Sequence, residues 1–211
     1  ADPRVKRIVD ILAGSGVPME QMGITGSMLV GLQAPSSDID FVAYGPSWWQ
    51  AREILARAKS RGEIDDLDEE TWRKIYLKRR PDTGFEEFML HEKRKGNRGM
   101  VEGTYFDLLF TRDWEQIHPQ PPGRPAGTAR IEAMVNNADF SFDSPAIYRL
   151  NHPEVKEIFC YSHTYAGQAL PGERIEAKGV LEETEDGLRL VVGTTREARG
   201  EWIRSLTLME S

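Results

Sequence analysis

The stretch GITGSMLVGLQAPSSDIDFVAYG, residues 23–45, decides the fold of the first half of the chain. Its last part, DIDFVAY, is a short apolar run that opens with two carboxylates, Asp38 and Asp40. Successive side chains of a β-strand point to opposite faces, so residues i and i+2 share a face. Two like charges held that close repel each other, and a bound cation is the usual compensation. The run therefore predicts a strand with a metal site at its start.

A Gly-Ser pair lies upstream of this strand. Gly26-Ser27 follows a strand-like run, residues 21–25, and precedes the helix-capable residues 28–30. Glycine lets the backbone approach a phosphate closely, and the first amides of a following helix face the anion. We therefore expect phosphate donors and metal ligands on one short unit. The simpler alternatives are that the two aspartates mark a turn or a solvated strand end, and that Gly-Ser merely caps a helix.

Together, Gly26-Ser27, Gly31 and Asp38-Ile39-Asp40 resemble the GS…G…DxD motif of the DNA polymerase beta superfamily of nucleotidyltransferases. The resemblance implies that the Gly-Ser turn holds a nucleoside triphosphate and that the aspartates bind two Mg²⁺ ions, with Mn²⁺ as an alternative. It covers about residues 20–110. A narrower similarity is to predicted archaeal nucleotidyltransferases that carry a β-rich C-terminal domain.

The same resemblance implies a third carboxylate on a later strand. Asp107, in TYFDLLF at residues 104–110, is the best candidate. An aspartate inside an apolar strand is disfavoured by propensity and needs a reason. With Asp38, Asp40 and Asp107 as metal ligands and catalytic residues, the expected reaction transfers a nucleoside monophosphate from the triphosphate to an acceptor hydroxyl and releases pyrophosphate. Nothing in the sequence identifies the acceptor, which could be nucleic acid, a small molecule or a protein.

A basic segment separates the two aspartate strands. Residues 72–100 hold nine basic and four acidic side chains, in a chain of net charge -7. Clustered Lys and Arg steer and neutralise polyphosphate, so we expect this segment near the metal site, with Arg94 and Arg98 as phosphate contacts. The alternative is the basic, solvated face of two helices, at residues 71–79 and 85–95.

The remaining pattern predicts an α+β protein of two domains. Apolar spacing predicts helices at residues 3–13 and 48–61 in the first domain. We expect a polymerase-beta-like nucleotidyltransferase domain, a mixed sheet with helices, and then a small antiparallel β barrel or sandwich that resembles the OB-fold. A proline- and glycine-rich linker joins the two. The expected boundaries are residues 1–117 for the first domain, 118–128 for the linker and 129–211 for the β-rich domain.

Composition narrows the class of protein. No run approaches the length of a membrane span, no secretory segment is evident, and Cys160 is the single cysteine, so we expect a cytoplasmic protein without a membrane partner. One alternative function is a catalytically silent nucleotide- or nucleic-acid-binding module on the same fold. Another is that the β-rich part binds RNA or DNA, although residues 129–211 hold nine basic against fourteen acidic side chains.

Overall fold

A computed structural model describes residues 2–34 and 37–211. The chain divides into two compact units, the first drawn from residues 1–69 and 96–118 and the second from residues 70–95 and 119–211. Helices accompany two mixed sheets, which confirms the predicted α+β class. In the part of the chain that is described, no helix is long and apolar enough to cross a lipid bilayer.

The first unit is built on a four-stranded sheet. Its elements in chain order are α1 (Pro3–Gly14), β1 (Met22–Ile24), α2 (Gly26–Leu29), β2 (Ile39–Tyr44), α3 (Pro46–Ser60), β3 (Arg98–Val101) and β4 (Thr104–Thr111). The strand order is β1-β2-β4-β3. The central pair, β2 and β4, is parallel, and both outer pairs are antiparallel. The helices predicted at residues 3–13 and 48–61 are confirmed.

The two faces of this sheet differ in polarity. Side chains that alternate along β2 and β4 place Ile39, Phe41, Phe106, Leu108 and Phe110 on one buried face. Helix α3 packs there, with the Trp48 indole N–H donating to the Leu108 carbonyl at 3.2 Å. The opposite face carries the half-buried residues Asp40, Tyr105 and Asp107. Because one face is sealed by apolar packing, the polar side chains of both strands collect on the other.

The second unit is a small barrel with three helices. Its elements are α4 (Glu69–Arg79), α5 (Phe85–Lys95), β5 (Arg124–Asn137), β6 (Ala146–Asn151), β7 (Val155–Cys160), β8 (Arg174–Thr184), β9 (Gly187–Val192), β10 (Trp202–Ser205) and α6 (Leu206–Met209). Strand pairing runs β5-β6-β7-β9-β8 and closes from β8 back to β5, while β10 pairs with β8. The interior is apolar, with Tyr148, Ile158, Ile175 and Leu190 among its fully buried side chains.

Two details of the predicted β-rich domain were wrong. The barrel is not purely antiparallel, because β7 and β9 are parallel. A tight hairpin sets the direction of β9 against β8, and β9 then fills the gap beside β7. In addition, β5 begins at Arg124, inside the predicted linker of residues 118–128. Pro125 is tolerated there because the pairing register shifts between Pro125 and Thr128.

Residues 70–95 belong to the second unit rather than to the predicted domain of residues 1–117. Helix α5 is bonded to the barrel by charged side chains. The Arg94 guanidinium pairs with the Glu173 carboxylate and donates to the Gln168 carbonyl at 2.6 Å. The ammonium of Lys95, 2% exposed, donates to the Thr164 carbonyl at 2.7 Å. Side chains that the sequence suggested as a substrate surface therefore hold this helix in place.

His91 adds a neutral bond between α5 and the end of β10. Its Nδ1–H donates to the Glu87 carbonyl at 2.9 Å, and its Nε2 accepts the Ser205 backbone N–H at 3.0 Å. Both bonds require the uncharged imidazole with its proton on Nδ1. Burial lowers the pKa of His91 to about 4.

We expect His91 to make the protein less stable in mild acid. The unfolded imidazole titrates near pH 6.5, whereas the folded pKa is about 4. Between these values the unfolded state binds more protons, so the free energy of unfolding falls as the pH is lowered from 6.5 to 4, by about 3 kcal/mol in full. Urea unfolding across this range measures the fall. His91→Gln should flatten it, and an equal pH dependence in parent and variant would contradict the assignment.

Candidate functional site

Two predicted aspartates are direct neighbours across the parallel strands of the first unit. Asp40 on β2 is in register with Asp107 on β4. Neighbouring strands lie about 4.8 Å apart, and paired residues of adjacent strands face the same side of the sheet. Arg98 on β3 is in turn in register with Asp107. Asp40, Asp107 and Arg98 thus form one row across three strands, on the face opposite Phe41, Phe106 and Leu108.

The Gly-Ser turn lies against the Asp40 end of this row. The Thr25 backbone N–H donates to the Asp40 carbonyl at 2.9 Å, which joins the turn to β2. Gly26 has φ +65°, and a Cβ added there would overlap the Oδ2 atom of Asp40. A side chain at this position would push the Asp40 carboxylate aside, and the positive φ also favours glycine. The predicted association of Gly26 with the aspartate strand is therefore present in the structure.

The positions of Ser27 and Asp38 are less suited to binding a phosphate and a metal than the sequence suggests. Ser27 is half-buried in α2, a helix of four residues, and such a short helix adds little to anion binding. Asp38 is exposed and lies one residue before β2 begins. It adjoins the row without belonging to the strand, so its side chain is less constrained than that of Asp40.

Asp107 is held by two neighbours. Its Oδ1 accepts from Arg98 Nε at 2.7 Å, and its Oδ2 accepts from the Tyr105 hydroxyl at 2.7 Å. The Arg98 side chain is only 6% exposed. Burial lowers the pKa of Arg98, but the charge of Asp107 outweighs this effect and leaves the pKa above its ordinary value. Arg98 and Asp107 therefore form a largely buried salt bridge at one end of the row.

The three predicted ligands do not form a ready coordination shell. Among residues 2–34 and 37–211, no group of three or more His, Cys, Asp or Glu side chains is arranged to hold a metal ion. For Asp107 the geometry supplies a reason, because both of its oxygens already accept hydrogen bonds. A metal at Asp107 would have to share or compete for this carboxylate with the Arg98 and Tyr105 donors.

The two predicted phosphate contacts, Arg98 and Arg94, lie in different units of the structure. Arg98 lies in the row, bonded to Asp107. Arg94 lies in the second unit, where it pairs with Glu173, so we leave it out of the candidate site. Tyr105 was missed by the sequence reasoning. The alternation of Tyr105 and Asp107 along one strand could have indicated that their side chains share a face.

The chain is similar to an uncharacterised protein, MJ1086, from Methanocaldococcus jannaschii. The two are 43% identical over an alignment that covers 96% of this chain and 64% of the relative. The chain thus spans less than two thirds of that protein's length. The relative's name states no activity, so the comparison brings no function with it. No family model matches the chain, and no solved structure matches it.

Two matched variants separate two effects of Gly26 on stability, its close contact with Asp40 and its left-handed backbone. Gly31 has a similar φ of +70° but has open space where a Cβ would be. An alanine at either position should cost about 1 to 2 kcal/mol from the left-handed backbone. Gly26→Ala should lose about 1 to 3 kcal/mol more, because it overlaps the Asp40 carboxylate. Urea unfolding measures both losses, and equal losses would show that the turn can move away from Asp40.

Arg94→Ala should destabilise the second unit. It leaves Glu173, whose pKa is raised by burial but lowered overall by Arg94, without its cationic partner. We expect a loss of about 1 to 3 kcal/mol in the free energy of unfolding. The neighbouring Lys93 is exposed, and Lys93→Ala should change stability by less than about 0.5 kcal/mol. Equal stabilities of the two variants would return Arg94 to the set of candidate substrate contacts.

Proposed function

We propose that the protein is a metal-dependent nucleotidyltransferase of the DNA polymerase beta type. It would transfer a nucleoside monophosphate from a nucleoside triphosphate to an acceptor hydroxyl. The observation that carries the proposal is the register of Asp40 with Asp107 on parallel strands, with Gly26 directly against Asp40. A strand pair with two adjacent half-buried carboxylates and a glycine turn beside them has the parts that such a site needs.

The chemistry of the residues fits divalent cations. Asp38, Asp40 and Asp107 offer only carboxylate oxygens, the donors that Mg²⁺ prefers and Mn²⁺ accepts. The Asp40 carboxylate lies directly against the Gly26 backbone, so a cation bound by Asp40 would also lie beside the glycine turn. When bound, such cations supply charge stabilisation at the reacting phosphate. Asp40 would be the central ligand, because it stands between the glycine turn and Asp107.

Each residue of the row then has a defined role. The reaction forms a bond from the acceptor oxygen to the α-phosphorus and breaks the bond from the α-phosphorus to the oxygen that bridges to the β-phosphate. The acceptor hydroxyl loses its proton to solvent in the same reaction. Gly26 and Ser27 would receive the leaving pyrophosphate at the turn. Asp38 and Asp40 would hold the triphosphate end of the site, and Asp107 would orient the acceptor hydroxyl at the other end. Arg98 would balance the charge of Asp107.

The fold of the second unit suggests which class of molecule the acceptor is. Its closed five-stranded barrel resembles the OB-fold, a fold that often binds oligonucleotides and oligosaccharides. This supports nucleic acid as one candidate acceptor. A feature of the first unit favours the alternative function, a binding module without turnover, since the Arg98 and Tyr105 bonds to Asp107 would suit a site that performs no chemistry.

Labelled nucleotides separate the enzyme from the binding module. The protein is incubated with Mg²⁺, a cell extract as acceptor source, and each nucleoside triphosphate labelled at either the α- or the γ-phosphate. Transfer of the α-label alone is expected, because the γ-label leaves in pyrophosphate. Asp40→Asn should abolish transfer. Asp107→Asn should do so while keeping nucleotide affinity within about tenfold, or 1.4 kcal/mol.

The control is Asp10→Asn, at an exposed aspartate of α1 paired with Lys6. It should transfer at the parental rate. Nucleotide binding without transfer, under all four nucleotides, would favour the module. Transfer that survives Asp40→Asn would remove the proposed site altogether.

A further inference from the structure

The Asp107 carboxylate lies in a cluster with Arg98 and Tyr105, which hold it more firmly than a surface ion pair would. Each Asp107 oxygen accepts one bond of 2.7 Å, from Arg98 Nε and from the Tyr105 hydroxyl. The Arg98 side chain is 6% exposed and that of Asp107 is 18% exposed. A charged pair so far from water is weakly screened, so its partners hold each other strongly.

The cluster lies where two carboxylates would otherwise repel each other. Asp40 stands beside Asp107 in register, so two carboxylates face the same side of the sheet at adjacent strands. Their repulsion raises the free energy of the folded state unless a cation lies near. Arg98 is in register with Asp107 on the other side and supplies that positive charge from within the chain.

We propose that Arg98 is a resident counter-ion that competes with a divalent cation for the Asp107 carboxylate. Arg98 and Tyr105 each bond one oxygen of Asp107, so a cation that takes this carboxylate as a ligand has to compete with both donors. The inference rests on the proposed function, because it concerns the same aspartates. It makes Arg98 a positioning residue, which acts through Asp107 rather than on the phosphates as the sequence had suggested.

The competition predicts a gain of affinity, which a purely structural role would not produce. Mn²⁺ alone is the probe, and its free concentration is measured by electron paramagnetic resonance without nucleotide. Arg98→Met keeps the apolar length of the side chain and removes its charge. We expect it to bind Mn²⁺ at least about tenfold more tightly than the parent. Tyr105→Phe removes one hydrogen bond and no charge, and we expect about threefold tighter binding.

Tyr105→Phe also serves as the control for charge. Loss of any positive charge near a cation raises the cation's affinity because it removes long-range repulsion, but Tyr105→Phe changes no charge. It also remains informative if Arg98→Met fails to fold because Asp107 is left half-buried without its partner. A second check is salt: in about 0.5 M KCl the Debye length is roughly 4 Å. A gain that comes from contact at Asp107 should persist there, whereas a long-range gain should fade.

The outcomes separate the inference from the proposed function. Tighter Mn²⁺ binding in Tyr105→Phe, and in Arg98→Met if it folds, supports the competition. Unchanged or weaker binding in Tyr105→Phe, or a gain in Arg98→Met that disappears in salt, overturns it, while Mn²⁺ binding by the parent that is lost in Asp40→Asn leaves the metal site standing. No Mn²⁺ binding by the parent or by either variant at millimolar concentration would overturn both.

Discussion

The parallel pairing of β2 with β4 is the constraint on which the rest of the first unit depends. It sets Asp40 beside Asp107, and this closeness of two carboxylates requires compensation on either side. On one side the glycine turn brings backbone against Asp40. On the other, Arg98 and Tyr105 bind Asp107. Since the opposite face of both strands is sealed by Phe41, Phe106 and their neighbours, the charged row has only one face on which to lie.

Local pattern was enough to predict the elements that make this row. The alternation in DIDFVAY and TYFDLLF indicates which side chains share a face, because a strand has a strict period of two. The register between the strands could not be predicted, since more than 60 residues separate Asp40 from Asp107 and pairing over that distance is decided by tertiary packing. For the same reason, the sequence could not predict which basic residue pairs with Asp107. Arg94 and Arg98 look equivalent in the sequence, yet one belongs to a helix of the barrel unit and the other to β3.

The helices at residues 70–95 show why order along the chain misleads about domains. They lie between two strands of the first sheet, and the sequence therefore assigns them to the same domain. Their charged side chains bond to the barrel and place these helices in the second unit. Arg94 and Lys95 find a carboxylate and a carbonyl on the barrel, and His91 holds the end of β10. Arg94 and Lys95 are already bonded within the second unit, so they cannot also serve as free cationic side chains. Because the basic segment belongs to the second unit, the first unit carries most of the chain's net negative charge.

This distribution of charge bears on how a polyphosphate could be bound at all. Acidic residues outnumber basic ones in the first unit, and the row itself contributes two carboxylates and a single guanidinium that is already paired with Asp107. A triphosphate brought to Gly26 would meet a negative surrounding, which opposes binding through Coulomb repulsion. Divalent cations reverse this sign, since they neutralise carboxylates and phosphates together. The acidity of the first unit opposes the binding of a bare polyphosphate, and it thus favours a site where the nucleotide arrives with its metal.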